Sequence, residues 1–200
     1  MKLNDALDQM RAVTRDEALA LDVLAASYTA ETLKAVSILW LCEGKVIVTG
    51  MGKCAHVGRK IAATFQSTGT PAAFLHPAEA AHGDMGMIGP KDVLLALSNS
   101  GETDELRPVM NYCQSHKIEV VAITSRPESW FAQTAKIAVI LPSVREGCPI
   151  GKAPMASSIM MMAVGDAFAA RLMTMRGFGA DDFLALHHGG YLGRGLSAVA

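Results

Sequence analysis

Aromatic residues are scarce in this chain, at 6%, and charged residues are sparse, at 18%. Its apolar half is carried instead by aliphatic side chains and twelve methionines, which suit an adaptable, close-packed interior. Accordingly, the run Met160-Met161-Met162 reads as packing in a buried helix, not as a cofactor box. The net charge is only −1 and no long like-charge run occurs, so there is no electrostatic footprint for nucleic acid and no disordered tail. The four cysteines, at 42, 54, 113 and 148, form no CxxC pair, which excludes a zinc knuckle and a thioredoxin-type motif. Scattered single cysteines suit a reducing compartment. The start, Met1-Lys2-Leu3-Asn4-Asp5, has no apolar signal core. Nowhere do about 18 apolar residues run unbroken, so no membrane span is expected, and a cytoplasmic address follows.

What is present is a chain of 200 residues, long enough for one domain with a sizeable core. Apolar residues at three-to-four spacing predict helix over 4–42, and Gly44 ends that pattern. Short, almost wholly apolar runs then alternate with helical patterns. Strands are predicted at 45–49, 71–75, 93–97, 119–123 and 136–140. Helices are predicted at 54–68, 104–116, 128–134, 154–175 and 180–186. Continuous apolar strands alternating with helices signal a parallel sheet covered on both faces. The expected fold is α/β, a three-layer αβα sandwich around a five-stranded parallel sheet. In such sheets ligands sit beyond the carboxyl ends of the strands, so the loops after 49, 75, 97, 123 and 140 carry the functional interest.

Four features stand in those loops. Gly50-Met51-Gly52-Lys53 is no nucleotide motif: a Walker A loop would need Gly where Ile47 stands, and a dinucleotide fingerprint would need Gly at Ala55. It is a tight turn with one lysine at a helix start. Ser98-Asn99-Ser100-Gly101-Glu102-Thr103 places hydroxyls, an amide and a glycine at a predicted helix N-terminus, where backbone N–H groups and the dipole favour an anion. That is more polar groups than capping alone requires. His76, His82, His187 and His188 fall in turn-rich stretches, and His76 with His82 could trap a soft divalent metal. Finally, Glu102, Glu105 and Glu146 lie just past strand ends, where a general base would be needed.

Taken in order, several strings resemble the sugar isomerase (SIS) domain and, within it, the arabinose 5-phosphate isomerases. They are Gly50-Met51-Gly52-Lys53, the stretch from His76 to Asp84, Ser98 to Glu102, Arg145-Glu146-Gly147-Cys148-Pro149 with Ala153-Pro154, and His187 with Gly189 to Arg194. The resemblance implies a flavodoxin-like SIS fold: N-terminal helices at 4–42, an α/β core at 45–176, and a C-terminal helix and active-site tail at 180–196. It implies that residues 1–200 form a single SIS domain without the CBS modules many members carry. It also implies interconversion of D-ribulose 5-phosphate and D-arabinose 5-phosphate, the first step towards the acidic sugar Kdo of lipopolysaccharide and some capsules. A homotetramer with active sites shared between subunits is implied too, with no cofactor required. Lys53, Glu105, Glu146 and His187 fall on the family's catalytic positions. Gly52, Gly69, Thr70, His76, His82, Ser98, Asn99, Ser100, Gly101 and Thr103 fall on substrate- and phosphate-binding positions, with an inhibitory zinc ion at His76. Two local departures are His188, where the family has Pro, and Met155-Ala156-Ser157-Ser158, where it has a run rich in Thr and Ser.

Isomerisation through a cis-enediol needs a base, donors for the developing oxyanion and a grip on the remote phosphate. By residue type, Ser98, Ser100 and Thr103 are expected to hold phosphate, and Lys53 to polarise an oxygen or support the phosphate. Glu146 is the first choice as proton-shuttling base and Glu105 the second. His187, from a neighbouring subunit, is expected to open the sugar ring or relay a proton, and His82 to contact hydroxyls. The alternatives are a phosphosugar-binding regulatory module without turnover, and an isomerase of another sugar phosphate.

Overall fold

A computed structural model describes residues 3–187. The chain opens with two helices, α1 (Leu3–Ala26) and α2 (Ala30–Trp40), where the apolar spacing reads as one. The break has a local cause. The Ser27 hydroxyl turns back to the Leu24 carbonyl at 2.7 Å. Thr29 then takes an extended N-cap conformation, and its N–H donates to Thr32 Oγ1 at 3.2 Å. Side chains of Ser and Thr that bond the backbone locally compete with the helix ladder.

The strands are β1 (Val46–Gly50), β2 (Ala72–Leu75), β3 (Val93–Leu97), β4 (Glu119–Thr124) and β5 (Ile137–Ile140). They pair in parallel throughout, in the order β2-β1-β3-β4-β5. Between them run α3 (Lys53–Ser67), α4 (Pro77–Ala80), α5 (Arg107–Ser115) and α6 (Trp130–Thr134); α7 (Ala156–Arg176) and α8 (Ala180–Leu186) follow β5. Every residue of β1 and β3 is buried, because both faces of the sheet are covered. Alternate residues go to opposite layers. Val48, Leu95, Leu97, Val121 and Ile123 pack with Leu24, Leu39, Ile61, Phe65, Met160 and Phe168, from α1, α2, α3 and α7. Ile47, Leu94, Ala96, Val120 and Ala122 pack with Leu106, Val109, Met110 and Phe131, on the side of α5 and α6. This is the three-layer sandwich expected from the sequence.

Because α3 covers one face and α5 the other, the chain diverges above the cleft between β1 and β3. That is the switch point where doubly wound sheets of this strand order bind ligands. Helix α7 packs in the same layer as α1, α2 and α3. By length and composition it is apolar enough to cross a membrane, yet Met160, Met161, Val164, Phe168 and Leu172 are each at most 1% exposed in the core. Gly165 lets α7 lie directly on α3: a Cβ there would meet Ile61 Cγ1 at 2.4 Å.

Candidate active site

The loop after β3 is folded on itself. Ser98 is 2% exposed. Its hydroxyl pairs with Thr103 Oγ1 at 2.8 Å and accepts the Gly101 N–H at 3.1 Å. Ser100 Oγ accepts the Glu102 N–H at 3.2 Å, which leaves its own proton to donate. Gly101 sits at φ +67°, and a Cβ on it would meet Ser129 Oγ at 2.1 Å, so only glycine fits. The helix predicted from 104 begins later than its pattern suggests. Residues 104–106 form a 3₁₀ turn, and α5 starts at Arg107. Pro108 explains the delay, since it suits a first helical turn and not a helix interior. The Asn99 side-chain carbonyl is buried and has no hydrogen-bond partner among the described residues, an acceptor that a ligand hydroxyl would satisfy.

Other candidates leave the same, carboxyl edge of the sheet. Gly52 follows β1 at φ 60° and caps α3, and Lys53 is the exposed first residue of that helix. Beside it, burial raises the pKa of the Cys54 thiol, which contacts Met161 Sδ at 3.7 Å. His76 follows β2 as the N-cap of α4, with its Nδ1 buried and unpartnered among the described residues. His82 is exposed just beyond, and Glu105 is exposed in the 3₁₀ turn. Glu146, in the loop after β5, has a fixed carboxylate. Its Oε2 accepts the Met155 N–H at 2.7 Å, and both of its oxygens lie 3.4 Å from the Ser157 nitrogen. It therefore caps α7 from ten residues upstream. The donors are main-chain groups, so the Met155 departure costs this contact nothing. Within the same loop, Cys148 Sγ accepts the Lys152 and Ala153 N–H groups at 3.1 Å each. These backbone donors, Ala153 foremost, lower the thiol's pKa.

Three candidates lie elsewhere. Gly69 and Thr70 precede β2 and so sit at the amino edge, opposite the loops just described. Thr70 is 1% exposed, and its Oγ1 has no partner among the described residues. Gly69, at φ +83°, lies against the Phe178 ring, 2.3 Å from where its Cβ would be. Phe178 follows α7, whose 21 residues carry the chain about 30 Å from the Glu146 loop to that opposite edge. Helix α8 and His187 start from there. The His187 ring stacks on Phe183 at 3.8 Å, and its Nδ1 lies 2.9 Å from the Phe183 carbonyl. A carbonyl only accepts, so Nδ1 is the donor in this contact. Within one chain, then, the structure does not bring Gly69, Thr70 or His187 to Lys53 and Glu146. His188 and the stretch 189–194 lie outside the described residues. Among the described residues no three His, Cys, Asp or Glu side chains converge on a metal position. His76 thus offers one orphaned nitrogen without a ligand set around it, and the zinc expected there does not fit the residues of one chain.

Residues 38–171 match the family model described as the SIS domain. The chain belongs to the SIS domain family. It is 48% identical over 165 residues to arabinose 5-phosphate isomerase KdsD of Escherichia coli K12, covering 82% of this chain and 50% of that protein. To KdsD of Pseudomonas aeruginosa it is 44% identical over 199 residues, 98% of this chain and 61% of that one. The chain thus spans about half the length of the E. coli relative. Its structure matches that of E. coli CFT073 c3406 in complex with arabinose 5-phosphate, at a TM-score of 0.90 and 34% identity, covering 94% of this chain and all of that one. Vibrio vulnificus NanR complexed with ManNAc-6P, at 16% identity and a TM-score of 0.73, shares the fold.

The loop after β4 carries a feature of this SIS domain that its sequence pattern does not announce. Thr124, Ser125 and Ser129 all direct hydroxyls into the neighbourhood of the 98–103 loop. Two hydroxyl residues at the end of a buried strand, Thr124 and Ser125, and a third at the next helix start, Ser129, were the available signal.

Proposed function

We propose that this SIS domain is an aldose–ketose isomerase that interconverts D-ribulose 5-phosphate and D-arabinose 5-phosphate through a cis-enediol. The observation that carries the reading is that one sheet edge bears both a hydroxyl- and amide-rich anion loop and a carboxylate held in place by main-chain N–H groups. The similarity to KdsD proteins and to a structure holding arabinose 5-phosphate supports the choice of substrate. In this reading Ser98, Ser100, Thr103 and the N–H groups of the loop grip the phosphate, with Gly52 and Gly101 allowing the backbone to approach. The binding energy of the phosphate orients C1 and C2. Glu146 takes the proton from one carbon and returns it to the other; the helix amides keep its carboxylate aimed throughout. Lys53 stabilises the enediolate oxygen. Asn99, His76 and His82 receive sugar hydroxyls. These steps draw on both side chains and main-chain N–H groups of the protein. The product would feed Kdo synthesis in the cytoplasm, where four free thiols fit.

The fourth catalytic candidate requires a second copy. In its own chain His187 ends a helix that starts from the edge opposite Glu146, which suits a role in a neighbour's site. This favours a homo-oligomer, a tetramer by family resemblance, with sites shared between subunits. Helix α1 leaves Met10 and Leu19 more than 60% exposed, which suits further association. Two assays test the reading. Purified protein should convert ribulose 5-phosphate in preference to heptose and hexose phosphates; phosphosugar binding without turnover would make it a binding module instead. Next, co-expressed Glu146→Gln and His187→Ala chains, each inactive alone, should regain up to about a quarter of wild-type activity, as random pairing restores intact sites. A mixture that stays inactive refutes site sharing.

A further inference from the structure

The hydrogen bonds within the 98–103 loop close it on itself, but they do not fix how it faces a ligand. That orientation comes from outside. The Asn99 carbonyl accepts three donors from the end of β4: the Ser125 N–H at 3.1 Å, the Ser125 hydroxyl at 2.8 Å and the Thr124 hydroxyl at 3.3 Å. The turn that supplies them is itself immobilised. Thr124 Oγ1 accepts the Arg126 N–H at 3.2 Å, and Ser129 Oγ donates to the Arg126 carbonyl at 2.7 Å while accepting the Ala132 N–H at 3.3 Å.

A peptide unit is planar and trans, so its C=O and the following N–H point in opposite directions. The carbonyl of Asn99 and the N–H of Ser100 belong to one such plane. Drawing the carbonyl inward to β4 therefore turns the Ser100 N–H outward. That N–H has no partner among the described residues, although the neighbouring donors on Gly101 and Glu102 are both bound within the loop. We propose that Ser125 is a positioning residue for anion binding: by holding the Asn99 carbonyl, it aims the Ser100 N–H at the phosphate. The proposal rests on the reading of 98–103 as the phosphate anchor. It explains why a hydroxyl stands at 125 as well as an N–H: the N–H bond alone sets the approach of the two loops, and the second bond fixes the tilt of the peptide plane.

The test compares Ser125→Val with Ser125→Thr, two side chains of the same branched shape of which only the second keeps the hydroxyl. The probes are inorganic phosphate and arabinose 5-phosphate, titrated by calorimetry and followed by the amide resonance of Ser100. Loss of one hydrogen bond should weaken both probes about fivefold in Ser125→Val and raise KM by the same factor, with kcat changing less. The Ser100 amide shift on phosphate addition should shrink, and Ser125→Thr should restore both. A purely structural role would lower the melting temperature and leave the Ser100 shift intact in the folded fraction. Wild-type affinity and an unchanged Ser100 shift in folded Ser125→Val would overturn the proposal while leaving the isomerase reading in place. Normal phosphate binding by Ser98→Ala would overturn the anchor itself, and this proposal with it.

Discussion

Gly101→Ala is the substitution to which the loop should be most sensitive. Two costs arise separately. An L-residue at φ +67° loses about 1–2 kcal/mol relative to glycine. The new Cβ would also stand 2.1 Å from Ser129 Oγ, 2.4 Å from Ser129 Cβ and 3.2 Å from Thr124 Oγ1. Ordinary carbon contacts lie near 3.5–4.0 Å, so the two loops must part by roughly 1 Å or more. Overpacking of this kind costs about 1–3 kcal/mol. The total expected loss is about 2–5 kcal/mol, read as a lower urea midpoint at unchanged m-value. Ser129→Gly removes the obstructing side chain; it costs a few tenths of a kcal/mol as a cap change at α6 and about 1 kcal/mol for the lost bond to the Arg126 carbonyl. The double variant should therefore recover about 1–3 kcal/mol of the loss, less those costs, and retain the dihedral cost. Because the movement spreads the Asn99 peptide from its donors, phosphosugar KM should rise at least tenfold in Gly101→Ala, by about 1.4 kcal/mol or more. A Gly101→Ala protein within about 1 kcal/mol of wild type and with normal KM would refute both the packing argument and the role of the loop.

Asp92 holds the amino edge together. It is 6% exposed and accepts the Lys45 N–H at 2.8 Å, Lys45 Nζ at 2.9 Å and the Gly89 N–H at 2.8 Å. Burial alone would raise its pKa, but the Gly89 and Lys45 donors together outweigh it and hold the carboxyl below its ordinary value. With the folded pKa depressed, the stabilisation is full above the unfolded value of about 3.9 and is lost as pH falls through the folded one. Asp92→Asn should cost about 1–3 kcal/mol at neutral pH and flatten the acid limb of the stability curve, measured by denaturant titration from pH 7 to pH 2. Glu146→Gln keeps an oxygen for the Met155 N–H, so stability should stay within about 1 kcal/mol while kcat falls by about 10²–10⁴. Near-normal turnover in Glu146→Gln, with loss in Glu105→Gln, would transfer the base role to Glu105.

The sheet was legible in the sequence because its strands are buried on both faces and read as unbroken apolar runs, such as Val93 to Leu97. Parallel strands send every following loop to one edge, which is why strand order along the chain suffices to group Lys53, His76, Ser98, Glu105 and Glu146. The break at 27–29 was not legible, since Ser, Tyr and Thr also occur inside helices and the apolar spacing continues through them. The amino-edge place of Gly69 and Thr70 was legible from the predicted strand that follows them. The placement of His187 was out of reach for another reason: it depends on α7 crossing the full depth of the molecule.

Glu146 shows the limit most clearly. Capping rules look three residues ahead for a partner, whereas this carboxylate caps a helix that begins ten residues later. Its sequence context marks it as a candidate base, and only the fold reveals that the groups orienting it are the first amides of α7. The same holds for the anion loop. Its hydroxyls are visible as residues, but the bond that sets its direction ends on the Asn99 carbonyl, an atom every residue type possesses. Side-chain chemistry is thus written in the sequence, while the main-chain contacts that aim it emerge from topology. In the proposed reaction both ends, phosphate grip and proton transfer, depend on such contacts. A substitution that leaves every candidate residue in place, at Ser125, should therefore still weaken phosphate binding about fivefold.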